Sequence, residues 1–301
     1  MNLILLTFSI FTTTVIIYSS VINFFEKNLP TFLKKNFRYG KFACKENVQG
    51  IIEIPKSSFK QFYRVAVLVC TYALYEATSV YIFNREPAER LSNFLLITCG
   101  SDRIAYSSAT NVYISLILLS LQSYRRFYDT HYVSIFGKNS KINISHFIMG
   151  IFHYPGAFLA IICEAPRFAT TTFGATNLNL TSLSYIDIFA ILLFIWAWWH
   201  QHKTTKILAG LRKNEKGKIV TSDHKLPHGD WFEYLSSPHQ TAEILMYLSI
   251  TILLWYNITW FFVFTWVLAN QVETILLSHW WYQETFEKFP KKRKALIPFL
   301  Y

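Results

Sequence analysis

Apolar runs dominate the hydrophobic pattern, and polar, charge-bearing segments separate them. A membrane-spanning helix needs roughly 20 mostly apolar residues. Seven stretches have that character, with approximate limits 3–25, 62–83, 104–123, 146–163, 185–199, 241–255 and 258–277. The sixth is short and carries Glu243 near its start, so the last two can also be read as one long reentrant hairpin. The seven runs predict an all-α, polytopic integral membrane protein of about seven transmembrane helices. The first run lacks a positive n-region and exceeds the 7 to 15 apolar residues of a signal peptide, so it is read as a helix that stays.

Positive charge tests this scheme, because short cytosolic loops are enriched in Lys and Arg. Of the 29 Lys and Arg residues, 25 fall in or beside alternate inter-helix segments on one side and 4 on the other. The split predicts a lumenal N-terminus and a cytosolic C-terminus. The formal net charge of +11 then has a plain reading as cytosolic loops beside anionic headgroups. With 52% hydrophobic, 18% aromatic and 16% charged residues and a mean hydropathy of +0.25, a disordered basic tail and a histone-like nucleic-acid binder are excluded. Cys44, Cys70, Cys99 and Cys163 stand far apart without a CxxC pair, which supports neither a zinc site nor a disulfide scaffold, and no metal site is expected. No GxG occurs, so a soluble Rossmann domain and a P-loop are excluded. Of the three N-x-S/T sequons, Asn143 falls on the cytosolic side and Asn257 in a tight turn. Asn179 alone has an accessible lumenal position, a weak marker of an endomembrane address.

Candidate chemistry concentrates toward the C-terminus. Glu243, Asn270, Gln271, Glu273 and His279 lie on or beside apolar runs, where a charged group costs about 2.5 to 3.5 kcal/mol at the bilayer centre. Such groups are expected to face a bundle interior or a wet cavity, as a site or as interhelical glue. His279 and Tyr282, three apart, share one helical face and present an imidazole and a phenol together; beside Trp280 and Trp281 the same spacing fits an aromatic belt. Lys203, Lys206 and Arg212 recur at helical intervals beyond the fifth run, as a diphosphate site or a solvated helix end. Asp230, Trp231, Glu233 and Tyr234 form an aromatic-acidic turn between Pro227 and Pro238, whose carboxylates suit ribose or amide groups or the neighbouring lysines. Arg125 and Arg126 end the third run as a topology anchor, and the closing FPKKRKALIPFLY suits a tail folded back onto the interface.

Four segments, LQSYRRFYDTHYVSIF, FIWAWWHQHKTTKILAGLRKN, LPHGDWFEYLSSPHQTAEILMY and LSHWWYQETFEKFPKKRKALIPFLY, resemble the steroid 5-alpha-reductase family, in particular its polyprenol branch. The likeness spans roughly residues 122–301 and is strongest in the last hundred. It implies a multi-pass endoplasmic reticulum enzyme of dolichol synthesis, supporting protein glycosylation. NADPH would reduce the alpha,beta double bond of a long polyprenyl lipid, with hydride going to the beta carbon while an acidic side chain polarises the carbonyl oxygen. No nucleic acid or metal partner is implied, and the oligomeric state is left open. The expected organisation is an N-terminal helix and basic loop over 1–61 and a six-helix reductase domain over 62–301, with its catalytic region at about 122–301.

Carried over by position, the resemblance implies His279 and Tyr282 as catalytic groups. Arg126, Lys203, Arg212, Gly229, Asp230, Tyr234, Glu243 and Arg293 are the expected cofactor contacts. Steroid-reducing members hold the ketone with a tyrosine and a glutamate, but Ser123 stands at the tyrosine position, the glutamate is left unassigned with Glu76 as its candidate, and His239 replaces an asparagine. The competing readings are an integral-membrane methyltransferase using S-adenosylmethionine on a prenylated substrate, a 3-oxo-5-alpha-steroid 4-dehydrogenase activity, and a non-catalytic transporter. SSPHQTAE lacks the Arg-His-Pro of the methyltransferases, and no inverted repeat supports transport.

Overall fold

The computed structural model describes residues 1–25, 28–37, 51–137, 140–214, 216–221, 223–298 and 300; most of the basic loop after the first helix, with Cys44, lies outside them. The described chain is mostly helical: α1 (Leu3–Phe25), α2 (Thr31–Phe37), α3 (Phe59–Tyr81), α4 (Glu89–Cys99), α5 (Ala109–Tyr128), α6 (Ile144–Cys163), α7 (Tyr185–Gly210), α8 (Pro238–Leu253) and α9 (Ile258–Thr285). Two small two-stranded ribbons complete it. β1 (Glu53–Pro55) pairs antiparallel with β3 (Lys141–Asn143), and β2 (Ile104–Ala105) pairs parallel with β4 (Thr171–Thr172). Among the described residues, α1, α6 and α9 are long and apolar enough to cross a membrane.

Each of the seven apolar stretches coincides with a helix, with corrections at the edges. The third was expected from residue 104, but Ile104 and Ala105 lie in β2, Ala105 fully buried, and the helix starts at Ala109 behind the Ser108 cap. Apolar character there reflects a buried strand rather than a helical turn. The fifth run continues past Trp199 to Gly210, so Lys203 and Lys206 are helical while Arg212 sits in the turn beyond, off the expected stripe. The last two runs form separate helices, α8 and α9, rather than a hairpin of one element, and Asn257 caps α9 by accepting from Trp260 N–H at 2.7 Å.

The core follows from these elements. Phe8 and Ile4 of α1, Leu116 and Leu119 of α5, Phe158 and Ile161 of α6, Phe194 of α7, Tyr247 of α8 and Trp260 of α9 are buried in one cluster. Helices α1 and α9 pack together, as do α7 with α8 and α3 with both α5 and α6. Two polar groups inside the bundle show the pairing that an apolar surround favours. Glu273 accepts from Asn23 Nδ2 at 3.2 Å, and His153 is held between Tyr247 Oη at 2.6 Å and Trp266 Nε1 at 3.3 Å. The polar residues expected to cluster on the last two helices therefore separate: Glu273 joins α9 to α1, Glu243 faces α5 and α7, and His279 meets the loop before α8.

Candidate active site

The C-terminal ends of α5, α7 and α9 meet the N-terminus of α8, and the 229–236 loop lies across them. This loop begins with a conformational demand. Gly229 has φ of +89°, which L-residues rarely adopt, and Asp230 follows at +48°. The Gly229 N–H donates to Glu233 Oε1 at 2.6 Å, closing a 3-10 turn over Asp230–Glu233. A Cβ on Gly229 would meet only Ile207 Cδ1, at 3.9 Å, so substitution there strains the backbone rather than the packing.

Along the loop, sequence-predicted residues take three positions. Asp230 accepts from Lys203 Nζ at 3.2 Å and faces His200 Nδ1 at 2.9 Å, while Trp231 stacks on the His200 ring at 4.6 Å. Burial alone would raise the Asp230 carboxyl, but hydrogen bonds from His200 and Lys203 outweigh it and hold the group below its usual range. Its stabilising contribution is thus complete above the unfolded pKa and lost as pH falls through the lower folded value. Asp230→Asn is expected to release the loop at neutral pH, read as faster amide exchange over 229–236, whereas the wild type shows this only under strongly acidic conditions.

At the loop's other end, Ser236 Oγ lies 2.7 Å from His279 Nδ1, and the Gln283 amide lies 3.0 Å from Nε2. Both ring nitrogens are therefore held, and these two partners set the tautomer. The C-terminal segment folds back here, as its composition suggested, with Lys294 N–H donating to Tyr234 O at 2.8 Å and Ser236 N–H to Lys294 O at 3.0 Å. A cavity of about 240 Å³ opens between α9 and this segment, lined by His279, Gln283, Leu276, Lys294, Ala295 and Leu300. Phe289, which the sequence did not single out, organises the wall. The His279 ring meets it edge-on at 5.5 Å, Tyr282 stacks on it at 6.3 Å, and the Arg293 guanidinium lies over it at 5.6 Å.

Arg293 is only 1% exposed, yet its Nε, Nη1 and Nη2 have no hydrogen-bond partner among the described residues. Burial pulls it down from its ordinary range, with Glu233 and Tyr282 opposing. A buried guanidinium left open is costly, so the site fits an anionic group with this arginine as its counter-ion.

The third position is a buried network. Gln122 Nε2 donates to Gln201 Oε1 and to Glu243 Oε2, both at 2.9 Å, and Gln201 donates to His239 O at 2.8 Å and also to Glu243. Arg125 bonds Gln201 and pairs with Asp129 at 2.8 Å, and His202 Nδ1 meets the other Asp129 oxygen at 2.7 Å. Arg126 points elsewhere, donating Nε–H to Tyr63 Oη at 3.1 Å with its guanidinium over that ring at 5.0 Å. Arg212 stands apart from all three positions, bonded to Ile135 O, and Tyr234 is half exposed. Gln122, Arg125, Asp129, Gln201, His202 and Ser236 were not predicted; Arg125 had been read only as an anchor. Arg125→Met would leave buried Asp129 with His202 as its remaining partner and take the donor from the Gln122 carbonyl, which Arg125 bonds at 2.5 Å, with an expected cost of about 3 kcal/mol. Thermal denaturation of the detergent-solubilised protein checks it, and an unchanged midpoint would remove the network's structural role.

Comparison with known proteins decides what this constellation belongs to. Residues 168–301 match the family model described as 3-oxo-5-alpha-steroid 4-dehydrogenase. A polyprenal reductase of Drosophila melanogaster is 37% identical over 99% of this chain and 93% of its own length. The chain belongs to the steroid 5-alpha-reductase family. Within it, this chain falls in the polyprenal reductase branch: similar proteins of that name are 32% identical in Homo sapiens, covering 88% of this chain and 84% of theirs, and 31% identical in Caenorhabditis elegans, covering 87% and 85%. The chain is accordingly an oxidoreductase, which sets aside the methyltransferase and transporter readings.

Proposed function

We propose that this chain reduces the alpha,beta carbon–carbon double bond of a polyprenyl aldehyde, or of its alcohol form, with NADPH, giving the dolichol-type product that supports protein N-glycosylation. Full-length similarity to polyprenal reductases supports the substrate class. The observation that carries the site reading is the buried Arg293 guanidinium, without a hydrogen-bond partner among the described residues, which meets Phe289 together with His279 and Tyr282.

The reaction needs an anion-binding surface for a dinucleotide phosphate, a polarised carbonyl and exclusion of water. Arg293 is the primary phosphate ligand in this reading and Lys203 a further cationic contact; Arg212 and Arg126, bonded to Ile135 O and Tyr63 without ligand, would have to exchange those partners for the cofactor to join them. Gly229, Asp230, Tyr234 and Glu243 offer backbone and carboxylate or phenol groups to the rest of the cofactor. When bound, NADPH supplies hydride to the beta carbon. His279, with Nδ1–H on Ser236 and Nε2 accepting from the Gln283 amide, would exchange one of these partners for the substrate to donate a proton to the carbonyl oxygen, where enolate charge develops, and the Tyr282 phenol stands one helical turn away as the second donor. Leu276, Ala295 and Leu300 give the cavity an apolar side beside His279.

We place the protein in the endoplasmic reticulum membrane as a seven-span chain with a lumenal N-terminus. Its catalytic region is residues 122–301, and the segment 1–61 precedes the six-helix reductase domain. The charge asymmetry supports this orientation, since the end of the bundle bearing Arg125, Lys203, His279 and Arg293 is also the end rich in Lys and Arg. A polyprenyl substrate has negligible aqueous concentration, so entry is lateral, from the lipid. Differential stabilisation tests the cofactor: NADPH is expected to raise the melting temperature of the purified protein and S-adenosylmethionine to leave it unchanged. The reverse result would sink the reading.

A further inference from the structure

Arg125 and Arg126 stand side by side near the end of α5, yet the bundle holds them differently. Arg125 is buried and bonds Asp129, Gln122 and Gln201, so one of its partners is a carboxylate. Arg126 bonds a single neutral group. Its Nε–H donates to Tyr63 Oη at 3.1 Å, and its guanidinium lies 5.0 Å over the ring of the same tyrosine. Among the described residues its Nη1 and Nη2 make no hydrogen bond, and no carboxylate pairs with it. Tyr63 is the fixed member of this pair. It is buried near the start of α3, where Tyr154 of α6 meets its ring edge-on at 5.5 Å. Its neighbour Phe62 packs on Phe147 at 5.4 Å, and a Cβ on Gly150 would come within 2.6 Å of the Phe62 ring, so α6 leaves no slack where α3 crosses it.

We propose that Tyr63 is a latch on the cofactor site: its phenol oxygen holds Arg126 in the unliganded protein, and NADPH binds by drawing Arg126 from Tyr63 onto a cofactor phosphate. The inference rests on the cofactor reading given above, in which Arg126 joins the phosphate contacts only after exchanging its partner. The exchange is favourable in one direction. A charge-assisted contact between guanidinium and phosphate is stronger than a bond to a neutral phenol oxygen, and four of the five Arg126 N–H groups are uncommitted at the start. Arg125 is unsuited to the same part, because it would have to give up the Asp129 carboxylate. The phenol therefore competes with the phosphate for one cation. Only molecules with Arg126 released are competent to make the full set of contacts, which raises the apparent Kd in proportion to their scarcity. As the spent cofactor leaves, Arg126 returns to Tyr63. The latch acts on a phosphate that the reduced and oxidised cofactor share, so it weakens both by the same factor.

Calorimetric titration of the purified full chain with NADPH and with NADP+ tests this, using wild type, Tyr63→Phe, Arg126→Met and the double variant. Phenylalanine keeps the ring under the guanidinium and deletes only the acceptor. Tyr63→Phe is expected to bind both cofactor forms about 3- to 10-fold more tightly, the scale of one ordinary hydrogen bond. Arg126→Met should bind both more weakly, and adding Tyr63→Phe to it should change nothing further. A tyrosine that merely packs, or that itself touches the cofactor, weakens binding when truncated, so a gain of affinity that needs Arg126 is the signature of the latch. Unchanged or weaker binding by Tyr63→Phe, beside a wild type that binds NADPH, overturns the latch and leaves the cofactor reading standing. Tightening that persists without Arg126, or that is confined to NADPH, overturns it as well. A wild type that binds neither form rejects the cofactor reading itself, and the latch with it.

Discussion

His279→Ala is expected to lower the turnover of polyprenal by about 100-fold or more, the scale of a lost general acid, while leaving NADPH binding in place. The ring sits between Ser236 and Gln283 and opens on the cavity formed with the C-terminal segment, so removing it deletes the proton donor and one edge contact of Phe289 while the Arg293 guanidinium stays over that ring. Ser236→Ala should have the smaller effect of a positioning residue: a lower kcat, a nearly unchanged KM for NADPH, and partial rescue by threonine. Turnover in microsomes with saturating NADPH checks both. Full activity in His279→Ala would move the proton-donating role to Tyr282 or elsewhere.

Arg293→Met should act on the cofactor instead. Hydrogen bonds to charged groups contribute roughly 1.5 to 3 kcal/mol, so losing the guanidinium is expected to raise the KM for NADPH by about 10- to 100-fold. Stability separates this role from a structural one. With no hydrogen-bond partner among the described residues, the guanidinium adds only its contact with Phe289 to the unliganded fold, a contact the Met side chain can keep as packing, so Arg293→Met should melt no lower than wild type without NADPH and lose most of the shift NADPH produces. A variant that melts several degrees lower without ligand would mark Arg293 as a packing element of the C-terminal segment.

Much of the fold was written in long apolar runs, because a spanning helix declares itself by length alone. The limits of α1 were read as they stand, and α6 and α9 differ at one end only. Shorter elements were hidden for physical reasons. Helix α4 begins with Glu89 and Arg90 and lacks the length of a span, although Leu91, Leu95 and Cys99 repeat every four residues and are all buried. Helix α7 runs on to Gly210 under a polar sequence because α8 covers one side of it.

The candidate site divides in the same way. His279, Tyr282 and Arg293 were legible through the family's C-terminal segments, and the structure gathers them around Phe289. The network of Gln122, Arg125, Gln201 and Glu243 was not, since its members come from α5, α7 and α8 and lie up to 121 residues apart. A neutral amide in an apolar helix carries no local spacing signal, and only the packing of α7 on α8 reveals its partners. A hint did exist: Gln122, Arg125 and Asp129 repeat at intervals of three and four on one face of the chain.

Turnover tests the central claim most directly. Microsomes containing the expressed chain would be given polyprenal and NADPH and the products read by mass spectrometry. Saturated aldehyde or alcohol, two hydrogens heavier than the corresponding unsaturated species and absent when NADPH is withheld, is the predicted result. A folded, membrane-inserted protein that binds NADPH but leaves the double bond intact would contradict the proposed reaction.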